Sequence, residues 1–180
     1  MRRNSTSDTK VRLEEQMSER FKESLSALAE REVRLFLGPR PGKKSRDRLA
    51  SLDLTLCCTL LSERENVEPV RRICQSLDCE WVWLPIEGGR LDILRQTDVV
   101  GHVETLAHRI ATQPEPRIYF HCSAGIHRTG FFVYVLLRLR GLDRDAAFGE
   151  LKSLRDVTAA QVGAERLDLA DELVASLSSG

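Results

Sequence analysis

Short apolar runs alternate with longer stretches of helical period along the chain. From Lys10 to about Glu32, in an otherwise charged stretch, Leu13, Met17, Phe21, Leu25 and Leu28 recur at helical spacing and predict an amphipathic helix packed on the rest of the protein. Val33 to Leu37 reads as a strand halted by Gly38-Pro39-Arg40-Pro41-Gly42. A short helix from Arg46 to Ser51, a strand from Leu54 to Leu60, and a helix from Asn66 to Leu77 carrying Val70, Ile73 and Leu77 follow. Glu80 to Ile86 alternates as a strand, a glycine-containing loop succeeds it, and a helix runs from about Thr97 to Ala111 with Asp98 placed to cap it. After the turn Gln113-Pro114-Glu115-Pro116 come a buried strand, Arg117 to Phe120, and a buried helix, Gly130 to Leu137. Two amphipathic helices, Arg144 to Leu154 and Ala164 to Leu177, complete the pattern.

Strands alternating with helices predict an α/β fold: one domain with a mostly parallel central sheet covered by helices on both faces. The expected organisation is a disordered N-terminus over 1–9, a helical extension over 10–32 and the domain proper over 33–180. A length of 180 residues suits one domain with a sizeable core.

Acidic and basic residues balance at 27 each, which gives no electrostatic case for nucleic acid or an anionic membrane as partner. No apolar run reaches the ~20 residues needed to span a bilayer, and the start is polar, so a cytoplasmic protein outside the membrane is expected, as a monomer. Five cysteines at irregular spacing, Cys57, Cys58, Cys74, Cys79 and Cys122, make neither a zinc pattern nor a secreted disulfide framework. Cys57 and Cys58 sit in an apolar run and read as core.

The chemistry concentrates where the run Ile118-Tyr119-Phe120 stops at His121-Cys122 and turns through Ser123-Ala124-Gly125-Ile126 into His127-Arg128-Thr129-Gly130. A loop pinned between a strand and a helix start converges its amides, from Ser123 to Arg128, on an anion. Arg128 adds a planar fork that matches two phosphate oxygens. The same field favours Cys122 as a thiolate, since a thiol at a helix N-terminus beside cations falls from ~8.5 to roughly 3.5–7.5. The Thr129 hydroxyl is positioned by sequence to serve the sulfur, and His121 to orient the loop.

The pattern His-Cys-x-x-Gly-x-x-Arg-Thr-Gly resembles the phosphate-binding signature of the cysteine-dependent protein tyrosine phosphatase superfamily. Rhodanese-type loops are shorter and do not usually carry the Arg-Thr-Gly continuation. The chain length, with Leu35 to Gly42, Pro85-Ile86-Glu87-Gly88-Gly89 followed by Leu91-Asp92-Ile93, and Leu151 to Arg155, resembles the small dual-specificity type, the kinase-associated kind in particular. Ile86-Glu87-Gly88 and His127 to Gly130 are similar to the plant and fungal atypical kind. The resemblance implies a phosphatase acting through a cysteinyl-phosphate without metal or other cofactor. Cys122, Arg128 and Thr129 would be catalytic, with Ser123, Ala124, Gly125, Ile126, His127 and Arg128 binding phosphate. Some relatives protect the nucleophile with a second cysteine, and Cys58 is the candidate here.

A general acid must protonate the leaving oxygen. In the superfamily it is usually an aspartate roughly thirty residues before the cysteine. Asp92 has the expected separation and is slightly preferred; Glu87 has the expected motif, with glutamate in place of aspartate. Ser123 and Ile126 stand where inositol-directed relatives commonly carry lysine, so a phosphotyrosine protein or peptide is the expected partner, with phosphoserine or phosphothreonine admitted by a shallow pocket. An inositol phosphate or phosphoinositide phosphatase, and a phosphate-recognition protein with little turnover, remain the alternatives.

Overall fold

The computed structural model describes residue 19 and residues 21–178. Leu13 and Met17 of the expected first helix, and the expected disordered residues 1–9, lie outside these. Helix α1 (21–30) leads into β1 (Arg34–Gly38), a 3-10 turn (Lys43–Ser45), α2 (Arg46–Ala50), β2 (Leu56–Thr59), α3 (Glu68–Ser76), β3 (Glu80–Trp83), α4 (Leu91–Leu94), α5 (Val99–Ala111), β4 (Arg117–His121), α6 (His127–Leu139), α7 (Arg144–Leu154), α8 (Asp156–Gln161) and α9 (Ala164–Ser178). The four strands form one sheet in the order β1-β4-β2-β3, and all three pairings are parallel.

The period of two along the strands sorts their side chains between two cores. Leu56 and Cys58 of β2 and Ile118 and Phe120 of β4 face the larger core, packed by α5, α6 and α9, with Leu28 of α1 at its edge. Cys57 and Tyr119 face the smaller core, where Leu49 of α2 and Val70 and Cys74 of α3 cover the sheet. Phe21 and Leu25 also pack on the larger core, so α1 is bound to the domain through its apolar stripe. Its end is tied down: Arg31 donates to the carbonyls of Ala111 and Gln113, and Arg140 donates to that of Arg31.

Three local features differ from the sequence reading. The strand expected over Leu54–Leu60 is confined to Leu56–Thr59, and the one expected over Glu80–Ile86 stops at Trp83; Leu84 and Ile86 continue buried but without ladder partners. The stretch expected as a loop before α5 contains the one-turn helix α4. A helix not expected at all, α8, follows α7 after Arg155, whose extended backbone (φ −162°, ψ 104°) separates the two. Both helices are too short for a periodic signal. Asp98 does cap α5, accepting from the Gly101 amide at 2.9 Å.

Parallel pairing in register brings all four strand ends together. Gly38 and Thr59 lie opposite His121, and Trp83 lies opposite Thr59. The segments leaving them, 39–42, 60–67, 84–90 and 122–126, therefore share one rim, where ligands of open α/β sheets bind.

Behind that rim, α6 meets α8 through Gly130, where a Cβ would lie 2.7 Å from Val162 Cγ2 and 2.9 Å from Val162 Cβ. Gly130→Val is expected to overpack this contact and cost ~1–3 kcal/mol, read as a lower urea midpoint with an unchanged slope.

Candidate active site

Cys122 directly follows β4 and is almost fully buried at the floor of the rim. The loop after it owes its shape to the fate of its carbonyls. In a trans peptide the C=O and the following N–H point in opposite directions, so tying a carbonyl outward turns the next amide inward. His121 Nδ1 donates to Cys122 O at 3.1 Å, and the Arg40 amide donates to Ser123 O at 3.0 Å. Arg155 Nη1 donates to Ala124 O at 3.2 Å and to Gly125 O at 2.8 Å, and Thr158 Oγ1 donates to Gly125 O at 2.7 Å. Ile126 O accepts from the Gly130 amide at 2.7 Å as α6 begins. Five consecutive carbonyls are thus held by donors. By the same rule the amides of Ser123, Ala124, Gly125, Ile126 and His127 are turned away from those donors, toward the N-terminus of α6, an arrangement suited to cradling an anion. Gly125 makes the turn at φ +69°, and a Cβ there would strike the carbonyl of Gly38.

The Cys122 sulfur sits in that field. Burial alone would raise its pKa, but the Thr129 hydroxyl and amide, the Arg128 charge and the Ile126 amide outweigh burial and bring it below its ordinary value. Thr129 Oγ1 is buried without another partner, so its hydroxyl is available to the neighbouring sulfur, whose pKa it helps to lower. Burial holds His121 down to about 4, so it is neutral at pH 7. Because Nδ1 must carry the proton it gives Cys122 O, Nε2 is the acceptor. Thr59 Oγ1 donates to Nε2 at 2.8 Å while accepting from Trp81 Nε1 at 2.9 Å. A directed chain thus runs from β3 through β2 to the Cys122 carbonyl.

Arg128 is buried and lies across the cradle. Its partner, Glu65, has no counterpart in the sequence reading. Glu65 Oε2 accepts from Arg128 Nη1 at 2.6 Å and Oε1 from Nη2 at 3.1 Å, while Ser123 Oγ and the Ser62 amide also donate to the carboxylate at 2.7 and 2.8 Å. Arg128 Nη1 donates further to Ile86 O at 3.1 Å. These bonds fix the plane of the guanidinium, and none of them uses Nε–H. The signal that could have found Glu65 is topological: it lies in the segment leaving β2, at the same end of the sheet as Cys122.

The two acid candidates fall differently. Asp92 lies in the first turn of α4, more than half exposed, with both oxygens on Arg90 at 3.1 and 2.8 Å, and that pairing lowers its pKa. Glu87 directly follows Ile86, whose carbonyl touches Arg128; it is half exposed and 3.5 Å from Arg64. Beyond it, Gly89 abuts His127, and Arg166 Nε donates to Gly89 O at 2.7 Å, so the segment 86–89 closes one wall of the pocket. Cys58, the redox candidate, is fully buried on β2 opposite Phe120, and burial pushes its thiol well up, away from the thiolate that exchange requires. Among the described residues, no group of His, Cys, Asp or Glu is arranged to hold a metal ion, and no helix is long and apolar enough to cross a membrane.

Comparisons with known proteins identify the family and the fold. The sequence model of the tyrosine phosphatase family matches residues 40–151. Tk-PTP in its active form superposes with a TM-score of 0.60 at 18% identity, covering 80% of this chain and 93% of that one. Human DUSP28 gives 0.57 at 20% identity, covering 81% and 94%. The core catalytic domain of the PP-IP phosphatase SIW14 from S. cerevisiae gives 0.54 at 19%, covering 81% and 87%. At such identities these likenesses establish the fold, that of the small dual-specificity phosphatases. No curated protein matches the chain.

Glu65 is held down to about 2 by its hydrogen bonds from Arg128, against the opposing effect of burial. A carboxylate depressed in the folded state contributes stability that is complete above its usual 4.5 and is lost as pH falls toward about 2. Glu65→Gln is therefore expected to melt below the wild type at pH 7, the gap narrowing as melts are repeated down to ~pH 3.

Proposed function

Since this chain belongs to the tyrosine phosphatase family, we propose that it hydrolyses phosphate monoesters through a cysteinyl-phosphate, with phosphotyrosine in a protein or peptide as its leading substrate. The observation that carries this reading is the Cys122 sulfur, beneath inward-facing amides and beside a guanidinium already fixed in plane by Glu65. The amides and Arg128 bind the equatorial oxygens, and the thiolate attacks phosphorus in line as the bond to the leaving oxygen breaks. An acid gives that oxygen its proton. Water then attacks phosphorus, its proton passing to the same carboxylate, and the S–P bond breaks as Thr129 stabilises the departing thiolate.

Glu87 is assigned as the acid. It extends from the wall that touches Arg128, whereas both oxygens of Asp92 are engaged by Arg90. Uncharged Ser123 and Ile126 on the loop favour a phosphoprotein over an inositol head group. A second reading, a small molecule bearing several phosphates, is supported by Arg40, Arg64 and Arg166 on the segments around the pocket. It is supported too by the likeness to SIW14, described as a PP-IP phosphatase.

Para-nitrophenyl phosphate is expected to be hydrolysed without added metal, with inhibition by vanadate and no turnover in Cys122→Ser. Phosphate release from phosphotyrosyl peptides should exceed that from inositol phosphates and phosphoinositides; the reverse order would transfer the assignment to the second reading. Glu87→Gln is expected to lose roughly 10²–10⁴-fold in kcat and the basic limb of the pH profile, with Asp92→Asn close to wild type. The opposite pattern would make Asp92 the acid.

A further inference from the structure

The cradle depends on two side chains that are not part of the loop. Arg155 lies in the extended link between α7 and α8, and Thr158 lies in the first turns of α8, beyond the stretch matched by the family model. Thr158 is fully buried, a costly place for a hydroxyl unless its bond is made. Its Oγ1 donates to Gly125 O at 2.7 Å and accepts from Arg155 Nη1 at 3.0 Å, while the same Nη1 reaches Gly125 O and Ala124 O. The remaining carbonyls of the loop are fastened by its own strand and helix or by the turn after β1. Those of Ala124 and Gly125, at the apex, are fastened by this pair.

We propose that Arg155 and Thr158 are positioning residues for the reaction. By holding the Ala124 and Gly125 carbonyls outward, they turn the Gly125 and Ile126 amides onto the transferring phosphate, and the Ile126 amide onto the Cys122 sulfur. Gly125 has no Cβ to resist rotation of these two peptides, and a glycine backbone at φ +69° is free to reach other conformations unless contacts hold it. Without the clamp, either peptide can turn its carbonyl toward the anion, replacing a donor by a repelling dipole. This assignment rests on the phosphatase reading for its consequence in turnover, and on the loop geometry alone for its consequence in anion binding.

The test compares wild type with Thr158→Val, which keeps the shape without the hydroxyl, Thr158→Ser, which restores it, and Arg155→Met. Three quantities are read: vanadate affinity, the pH at which Cys122 becomes reactive to iodoacetamide, and urea stability. Losing one preorganised donor costs ~10²–10³-fold in other oxyanion sites, and a loosened rather than deleted donor should cost less. Thr158→Val and Arg155→Met are expected to bind vanadate roughly 10–100-fold more weakly and to shift Cys122 reactivity to higher pH, while Thr158→Ser stays near wild type. A folded Thr158→Val with wild-type vanadate affinity and wild-type thiol titration overturns the proposal.

If Val and Met variants do not fold, the wild type decides: its Gly125 and Ile126 amide resonances must shift on vanadate addition. Vanadate binding without those shifts overturns the clamp and leaves the phosphatase reading standing. Wild type that neither binds vanadate nor turns over para-nitrophenyl phosphate overturns both.

Discussion

A trans peptide cannot show its carbonyl and its next amide to the same side, and the site is built on that constraint. Each carbonyl from Cys122 to Ile126 has been given a donor outside the pocket: an imidazole, a backbone amide, a guanidinium shared with a hydroxyl, and the first turn of α6. The inward array of N–H groups follows without further design. Dipoles fixed in this way need no reorganisation when charge arrives, which is where electrostatic catalysis draws most of its strength. The rest of the fold supplies those donors at the right places, which parallel, in-register strand ends make possible.

Arg128 illustrates the complementary requirement. A nearly buried guanidinium is expensive unless paired, yet a partner that consumed every donor would leave nothing for substrate. Glu65 resolves this by engaging Nη1 and Nη2 while a backbone carbonyl takes another Nη1 hydrogen, leaving Nε–H uncommitted by either. The carboxylate also binds Ser123, so the guanidinium and the loop are located relative to one another by a single group. Negative charge beside a site for anions weakens the attractive field somewhat; what it returns is orientation.

The sequence made legible whatever is contiguous. Cys122, the loop, Arg128 and Thr129 lie in one run of eight residues that joins a buried strand to a buried helix, and each of those elements carries a strong pattern. The parallel sheet, the turn after β1 and the Asp98 cap were readable for the same reason. Glu65, Arg155 and Thr158 were not. Their contacts with the loop span between 30 and 63 positions, and nothing in the local spacing of a Glu, an Arg or a Thr distinguishes it from a solvated neighbour. Helices α4 and α8 were missed because one or two turns carry no period.

The pairing of β1 with β4 joins the start of the domain to its middle, Arg34 to Arg117, and the hydroxyl that fastens Gly125 arrives later still, on α8. A chain emerging from the ribosome therefore holds Cys122 well before it holds the last of the donors that fasten the loop around it. Contacts of such long sequence separation are closed late and slowly during folding. Forms ending before α8 thus keep Cys122, Arg128 and Thr129 in sequence but lack the Thr158 hydroxyl that fastens the Gly125 carbonyl, so the loop would be left with one fewer external tether.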